Sequence, residues 1–227
     1  MGCNVTETGK KGILIVDDHP LVRNGLARTV GQESDLSVCG LAESAEEALI
    51  AIKQHKPDLI IVDISLKGSS GLDLVREIKR LYPDLPTLVL SMHAEEFYAE
   101  RALHAGARGY ITKESPIENL LDAIRRVLNL GVYVSDAMAG KMLSRMSTGA
   151  KGDAGGFTED VLTDREMEVL ECLGGGMTTR DIAEKWGRSI RTVETHCANI
   201  KRKLNLDSAR ELLQRAIQWV QAGTPCK

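Results

Sequence analysis

Five side chains in the first half of the chain could do chemistry together: the acidic pair Asp17 and Asp18, then Asp63, Ser91 and Lys113. Each follows a short, largely apolar run. Ile13-Leu14-Ile15-Val16 precedes the pair, Leu59-Ile60-Ile61-Val62 precedes Asp63, Thr87-Leu88-Val89-Leu90 precedes Ser91, and Gly109-Tyr110-Ile111-Thr112 precedes Lys113. Runs of this kind read as strands buried on both faces of a parallel sheet. Such a sheet collects the carboxyl ends of its strands on one edge, where open α/β sheets place their ligands. Three carboxylates gathered there repel one another unless a cation intervenes. A hard divalent ion with oxygen ligands, Mg²⁺, fits them and leaves room for phosphate oxygens. A lysine is a compact charge able to pair with a carboxylate or a phosphoryl group, and a serine hydroxyl can donate to a phosphoryl oxygen. The set suits transfer of a phosphoryl group onto a carboxylate, giving an aspartyl-phosphate. Any one of these residues alone reads as a turn, a surface charge or a core edge. Their order and strand-end placement carry the inference.

The elements that must position them alternate. After Asp17-Asp18-His19-Pro20 a helix is expected to about Gln32, with Leu21, Val22, Leu26 and Val30 at helical spacing. Ser37–Gly40 reads as a weaker, shorter strand, and Ser44-Ala45-Glu46-Glu47 as a capping box opening a helix to about His55. Further helices are expected over Gly71–Leu81, ended by Tyr82-Pro83-Asp84-Leu85-Pro86, over Glu95–Ala105, and from Pro116 to about Leu130. Five strand–helix repeats imply an α/β unit: a doubly wound, five-stranded parallel sheet with right-handed crossovers and helices on both faces.

Composition sets the outer bounds. A chain of 227 residues holds one large or two small domains. The net charge of −3 is uneven: residues 157–227 carry 11 basic and 11 acidic side chains, and the acidic excess lies before them. Whole-chain charge therefore says nothing about a nucleic-acid partner, and local clusters must be read instead. Five cysteines without a C-x-x-C pair fit free thiols in a reducing cytoplasm. No run approaches membrane-spanning length and no signal peptide opens the chain. Met1-Gly2-Cys3-Asn4-Val5-Thr6 matches only a short, loose myristoylation pattern.

Residues 11–130 resemble the receiver domain of bacterial two-component response regulators, on Val16-Asp17-Asp18-His19, Val62-Asp63-Ile64-Ser65, Ser91 and Tyr110-Ile111-Thr112-Lys113. The resemblance implies the flavodoxin-like form of the parallel sheet, and that Asp63 is the phosphoacceptor. It implies that Asp17, Asp18 and Asp63 hold Mg²⁺ with the backbone carbonyl of Ser65. Ser91 would be the switch hydroxyl, Lys113 the phosphoryl-binding lysine, and Tyr110 the rotating aromatic. One position departs: the family often has a proline four residues after the phosphoacceptor, where this chain has Lys67. A haloacid-dehalogenase-type phosphatase, the enzymatic rival, wants a second aspartate two residues on, and that position is Ser65. A third reading, a receiver that signals by contact without phosphate, is disfavoured by the complete acid set.

Past residue 130, Gly131–Ser135 reads as a short extended piece and Asp136–Met146 as a helix with Met138, Met142, Leu143 and Met146 on one stripe. Ser147–Gly156 is small and polar, a flexible linker. The expected domains are a receiver over 1–130, a linker with a helix over 131–159, and an all-α four-helix domain over 160–227. Thr163-Asp164-Arg165-Glu166 is a capping box, Gly174-Gly175-Gly176 stops the helix it opens, and Thr178-Thr179-Arg180-Asp181 opens a second. Gly187 breaks that one, Ser189 caps a third, and Ser208-Ala209-Arg210-Glu211 caps a fourth with Leu212, Leu213, Ala216, Ile217 and Val220. In the third, Val193, Cys197, Ile200 and Leu204 share a face, and Thr195, Ala198 and Arg202 lie opposite, flanked by Glu194 and Asn199. Residues 185–203 hold six basic side chains against Glu194 alone. That is a local footprint for a phosphate backbone, on two helices joined as in a helix-turn-helix.

Residues 160–220 are similar to the LuxR-type four-helix domain, on Leu162-Thr163, Arg165-Glu166, Glu168-Val169-Leu170, Gly176, Ile182-Ala183, Ser189, Thr192-Val193, His196, Ile200 and Lys203-Leu204. Receiver plus this domain is the NarL/FixJ class of transcription regulators. The resemblance implies base contacts from Glu194, Thr195 and Ala198, and phosphate contacts from Thr192, His196 and Lys203. Arg191 and Arg202 complete the expected DNA-binding set. It further implies double-stranded DNA and a sensor histidine kinase as partners, and dimerisation through the last helix. Trp186 and Gly187 depart from the family's usual residues. The chain is thus read as a cytoplasmic, phosphorylation-controlled, DNA-binding transcription regulator and not an enzyme.

Overall fold

The computed structural model describes residues 9–66, 69–147 and 161–223. The myristoylation-like start, Lys67 and the linker beyond Ser147 lie outside the described residues. The chain divides into two compact units, with the division between Met142 and Leu143.

The first unit alternates strand and helix: β1 (Lys11–Val16), α1 (Pro20–Gly31), β2 (Leu36–Ala42), α2 (Ala45–His55), β3 (Leu59–Val62), α3 (Gly71–Leu81), β4 (Thr87–Ser91), α4 (Glu95–Ala105), β5 (Gly109–Thr112) and α5 (Ile117–Leu128). The sheet is all parallel in the order β2-β1-β3-β4-β5, the flavodoxin-like order. The strand order, not the strand direction, reverses between β1 and β3, so their carboxyl ends flank the crevice. β3 and β4 are buried along their whole length, and β1 beyond Lys11, as the apolar runs predict.

Two local expectations need correction. β2 is not the short strand expected: at seven residues it is the longest in the sheet, pairing with β1 from Leu36 to Ala42 across an irregularity between Ile13 and Leu14. It is an edge strand with a half-exposed middle, so its sequence lacks the apolar run that marks buried strands. At Ser44 only half of the capping box forms. Ser44 Oγ accepts from Glu47 N at 3.2 Å, but the Glu47 carboxylate accepts from Glu43 N, one residue too early.

Beyond α5, helix α6 (Asp136–Ser147) follows. Its expected single stripe is split: Met138 is buried, Leu143 is 66% exposed, and the Met146 side chain lies outside the described residues.

The second unit comprises α7 (Asp164–Gly174), α8 (Thr179–Trp186), α9 (Ile190–Lys203) and α10 (Ala209–Gly223). Complete capping boxes at Thr163 and Thr178 open α7 and α8, Ser189 caps α9, and Ser208 Oγ accepts from Glu211 N at the start of α10. Gly187 takes φ +60 after α8, the left-handed turn between α8 and α9 that glycine adopts without strain. Val169, Leu170, Ile182, Val193, Ile200 and Ala216 form the buried interior. Leu213 and Ile217, grouped with Leu212 and Ala216 in the sequence reading, face outward instead, at 45% and 38% exposure.

Candidate functional site

The strand ends bring Asp17, Asp63, Ser91 and Lys113 together, buried among main-chain bonds that tie neighbouring strands. Asp63 N donates to Val16 O at 2.9 Å and Lys113 N to Ser91 O at 2.7 Å, so strand ends far apart in sequence are locked side by side. Asp63 is 2% exposed. The start of α3 packs close against the Asp63 backbone, and Gly71 makes that approach possible: a Cβ there would stand 1.9 Å from Asp63 O.

Lys113 is the cation of the site. Its Nζ lies 2.7 Å from Asp63 Oδ2 and 2.7 Å from Asp17 Oδ2, bridging both buried carboxylates. Burial pushes the Asp63 carboxyl above the ordinary carboxylate range; Lys113 pulls against this and the neighbouring Asp17 adds to it. Burial alone would lower the Lys113 pKa, but the two carboxylates outweigh it and hold the ammonium above its usual value. The lysine therefore stays charged, and the site holds carboxylate charge beyond what that one cation offsets.

A metal fits this excess. Asp17, Asp18, His19 and Asp63 each offer a ligand atom within 4.8 Å of the others. Asp17 Oδ2 and Asp18 Oδ1 are buried, and beyond the Lys113 ammonium and the His19 ring beside them no other described group donates to either. Oxygen atoms gathered in this way suit a hard divalent cation. His19, absent from the expected ligand set, lies 2.7 Å from Asp18 Oδ1 through Nδ1, and its exposed ring was not distinguishable in the sequence from a turn residue.

One residue of this site escaped the sequence reading altogether. His93 gathers four side chains, from β4, α4, β5 and the loop after β3: its Nε2 lies 2.9 Å from Ser65 Oγ, its N donates to Ser91 Oγ at 3.2 Å, its O accepts from Tyr110 OH at 2.8 Å, and its ring stacks on Tyr98 at 4.5 Å. Tyr110 is fully buried, directed inward by that bond. No periodicity marks such a loop residue; only its place two residues past Ser91 hinted at a role.

In the second unit the expected contact residues divide into two groups. Arg191, Thr192, Glu194, Thr195, Ala198 and Arg202 are exposed on α9. Thr192 Oγ1 is engaged with Ser189 Oγ at 2.9 Å, and Thr195 Oγ1 donates to Arg191 O at 2.8 Å. His196 and Lys203 instead turn toward α7 and α8. Lys203 Nζ donates to the buried Glu166 carboxylate at 2.6 Å. The His196 and Trp186 rings meet edge to face at 6.2 Å, and the Arg165 guanidinium lies over the Trp186 ring at 4.8 Å. Burial, with Arg165 adding to it and Glu166 opposing, lowers the His196 pKa. A cavity of about 650 Å³ opens between the end of α7, α9 and α10, lined by Met177, Cys197, Lys201, Leu213 and Ile217 among others.

Known proteins resemble both units. Residues 13–125 match the response regulator receiver domain, and residues 160–216 match the bacterial regulatory proteins of the luxR family. The chain is 35% identical over 209 residues to the oxygen regulatory protein NreC of Staphylococcus carnosus, covering 91% of this chain and 96% of that one. Among solved structures it is similar to a LuxR-family two-component response regulator from Aurantimonas, at 30% identity and TM-score 0.57, over 61% of this chain and 99% of that one. It is also similar to RcsB from Salmonella enterica serovar Typhimurium, solved bound to the promoter rprA in the presence of the phosphomimetic BeF3-, at 25% identity and TM-score 0.60, over 91% and 98%. With the parallel sheet, the strand-end acids and the capped helical unit, these matches place the chain among the two-component response regulators that join a receiver domain to a LuxR-type DNA-binding domain.

Proposed function

We propose that Asp63 is the residue phosphorylated, by a sensor histidine kinase, and that its phosphorylation controls binding of the second unit to double-stranded DNA. The observation that carries this reading is the Lys113 ammonium held at 2.7 Å from both Asp63 and Asp17. An Asp63 oxygen attacks the phosphoryl group of the donor imidazole; the P–O bond forms as the P–N bond breaks, and the imidazole leaves with the bonding pair. Lys113 stays charged and offsets the added negative charge. Ser91, buried at the end of β4, supplies a hydroxyl for a phosphoryl oxygen. Asp17, Asp18 and Asp63, with the backbone carbonyl of Ser65, would hold Mg²⁺, which supplies charge neutralisation of the transferring group when bound. Tyr110 is the aromatic switch behind Ser91.

The receiver covers 1–130, residues 131–159 connect, and 160–227 bind DNA. Arg191, Glu194, Thr195, Ala198 and Arg202 form the exposed reading face, with Thr192 at its capped start. His196 and Lys203 brace α9 from behind and reach phosphate only at the rim. Dimerisation places two such faces on a two-fold site, and the outward Leu213 and Ile217 of α10 are the apolar surface for it. The protein works in the cytoplasm and does not act on outside substrates as an enzyme.

Incubation with acetyl phosphate and Mg²⁺ tests the acceptor. Wild type takes up one phosphoryl group; Asp63→Asn, which keeps size and hydrogen bonding, takes up none. Undiminished labelling of that variant removes Asp63 as the acceptor.

A further inference from the structure

The segment after α5 turns back onto the sheet unit and touches it at several points. Arg108 Nη1 donates to Leu130 O at 3.0 Å at its start. Tyr133 then adds itself to the free edge of β5: its carbonyl accepts from Tyr110 N at 2.9 Å and its N–H donates to Arg108 O at 3.0 Å, in parallel register with Gly109. Gly109 leaves the room for this, since a Cβ there would stand 3.0 Å from Tyr133 O and 2.9 Å from Leu88 Cδ1. Two residues on, Ser135 N donates to Glu95 Oε1 at 2.8 Å, in the first turn of α4. Ser135 Oγ accepts from Met138 N at 3.1 Å and so caps α6; Met138 is buried, and Lys141 Nζ lies 3.5 Å from Glu96 Oε1.

Both anchors lie on elements that carry the switch. Tyr110 gives its backbone N–H to Tyr133 and its hydroxyl to His93 O. His93 N holds Ser91 Oγ, its ring stacks on Tyr98 of α4, and Glu95 follows it by two residues. A Ser91 hydroxyl drawn toward a phosphoryl group on Asp63 gives up its bond to His93 N. The displacement of His93 then reaches Tyr133 through Tyr110 and Ser135 through Glu95.

We infer that residues 131–141 are an intramolecular strap, docked on the β5 edge and the start of α4, that phosphorylation of Asp63 loosens. The strap is the part of the chain that reads the switch, and while docked it closes the β5 edge to any added strand. This inference rests on the reading of Asp63 as phosphoacceptor.

Amide hydrogen exchange on the full chain, with and without acetyl phosphate and Mg²⁺, tests it in wild type and Glu95→Ala. Phosphoryl content of Asp63 is read by mass in the same samples. In wild type, exchange across 131–141 rises roughly tenfold on phosphorylation, equivalent to about 1.4 kcal/mol. In Glu95→Ala it is already fast before phosphorylation, while phosphoryl uptake is unchanged. Exchange that stays constant across 131–141 in wild type carrying the phosphoryl group overturns the strap and leaves the acceptor standing. A chain that carries no phosphoryl group on Asp63 overturns the acceptor reading, and the strap with it.

Discussion

Lys113 and Lys203 are both lysines that bond buried acids, yet only the first was legible as such. Lys113 follows a strand, so the sheet itself brings it to Asp17 and Asp63. Lys203 meets Glu166 across two helices and 37 residues, a pairing that no local spacing announces. Read from the sequence alone, it looked like part of a phosphate-binding cluster. Its removal should therefore act on stability first. Burial raises the Glu166 pKa, but bonds from Lys203 and Thr163 outweigh it and hold the carboxyl below its usual value. A carboxyl depressed in the folded state stabilises above its unfolded pKa of about 4.3, and that contribution is lost as pH falls through the folded pKa. Lys203→Met should lower the unfolding midpoint of the second unit at neutral pH. The gap to wild type should close in acid, below about pH 4. Both tryptophans, Trp186 and Trp219, lie in that unit, so their fluorescence reports it directly. A gap that persists unchanged into acid, or an unshifted midpoint with a weaker salt dependence of DNA binding, would mean that Lys203 serves phosphate and not Glu166.

At the scale of elements, the buried strands and the capped helices were readable because each writes its own local signal. β3 is four buried residues between turn formers, and α7 opens on a complete capping box. What local signals miss are edges and close approaches. β2 hid its length because an edge strand need not be apolar, and Gly71 hid its purpose because the constraint comes from a backbone atom of another element. Gly71→Ala would place a Cβ 1.9 Å from Asp63 O, so α3 must shift away from the end of β3. A loss of about 1–3 kcal/mol is expected from such overpacking, measured by urea unfolding, together with slower phosphoryl uptake because the acceptor's own carbonyl moves. Unchanged uptake and stability would show that the turn adapts. For α9, Glu194 is exposed on the face proposed to read bases. Glu194→Ala should leave stability alone and change base preference by about 1–3 kcal/mol at one contacted pair. Selection from random DNA that returns the wild-type site would remove Glu194 from the reading set.

At the scale of the molecule, the sequence separates an acidic sheet unit from a helical unit with a basic cluster, but it does not say how one acts on the other. On the proposed roles the acceptor Asp63 belongs to the first unit and the DNA-reading helix α9 to the second. On that reading the effect of a phosphoryl group on Asp63 passes as a change in equilibrium between arrangements of the first unit. If that change favours pairing of two chains, each second unit is held near its own half-site, and the second binding event becomes intramolecular. Weak modules joined in this way gain avidity without any new contact, and loss of either half-site abolishes the gain. Phosphorylated full-length protein should therefore bind a two-half-site operator at least about tenfold more tightly than the unphosphorylated form. On a single half-site the two forms should bind alike. A fragment of residues 157–227 should bind both operators weakly and ignore acetyl phosphate. These affinities must be compared at one salt concentration, because phosphate contacts make every one of them salt-dependent. Equal affinities of the two full-length forms on the paired site would break the link between Asp63 and DNA. A phosphorylation-dependent gain that also appears on the single half-site would assign the control to release of the second unit rather than to pairing.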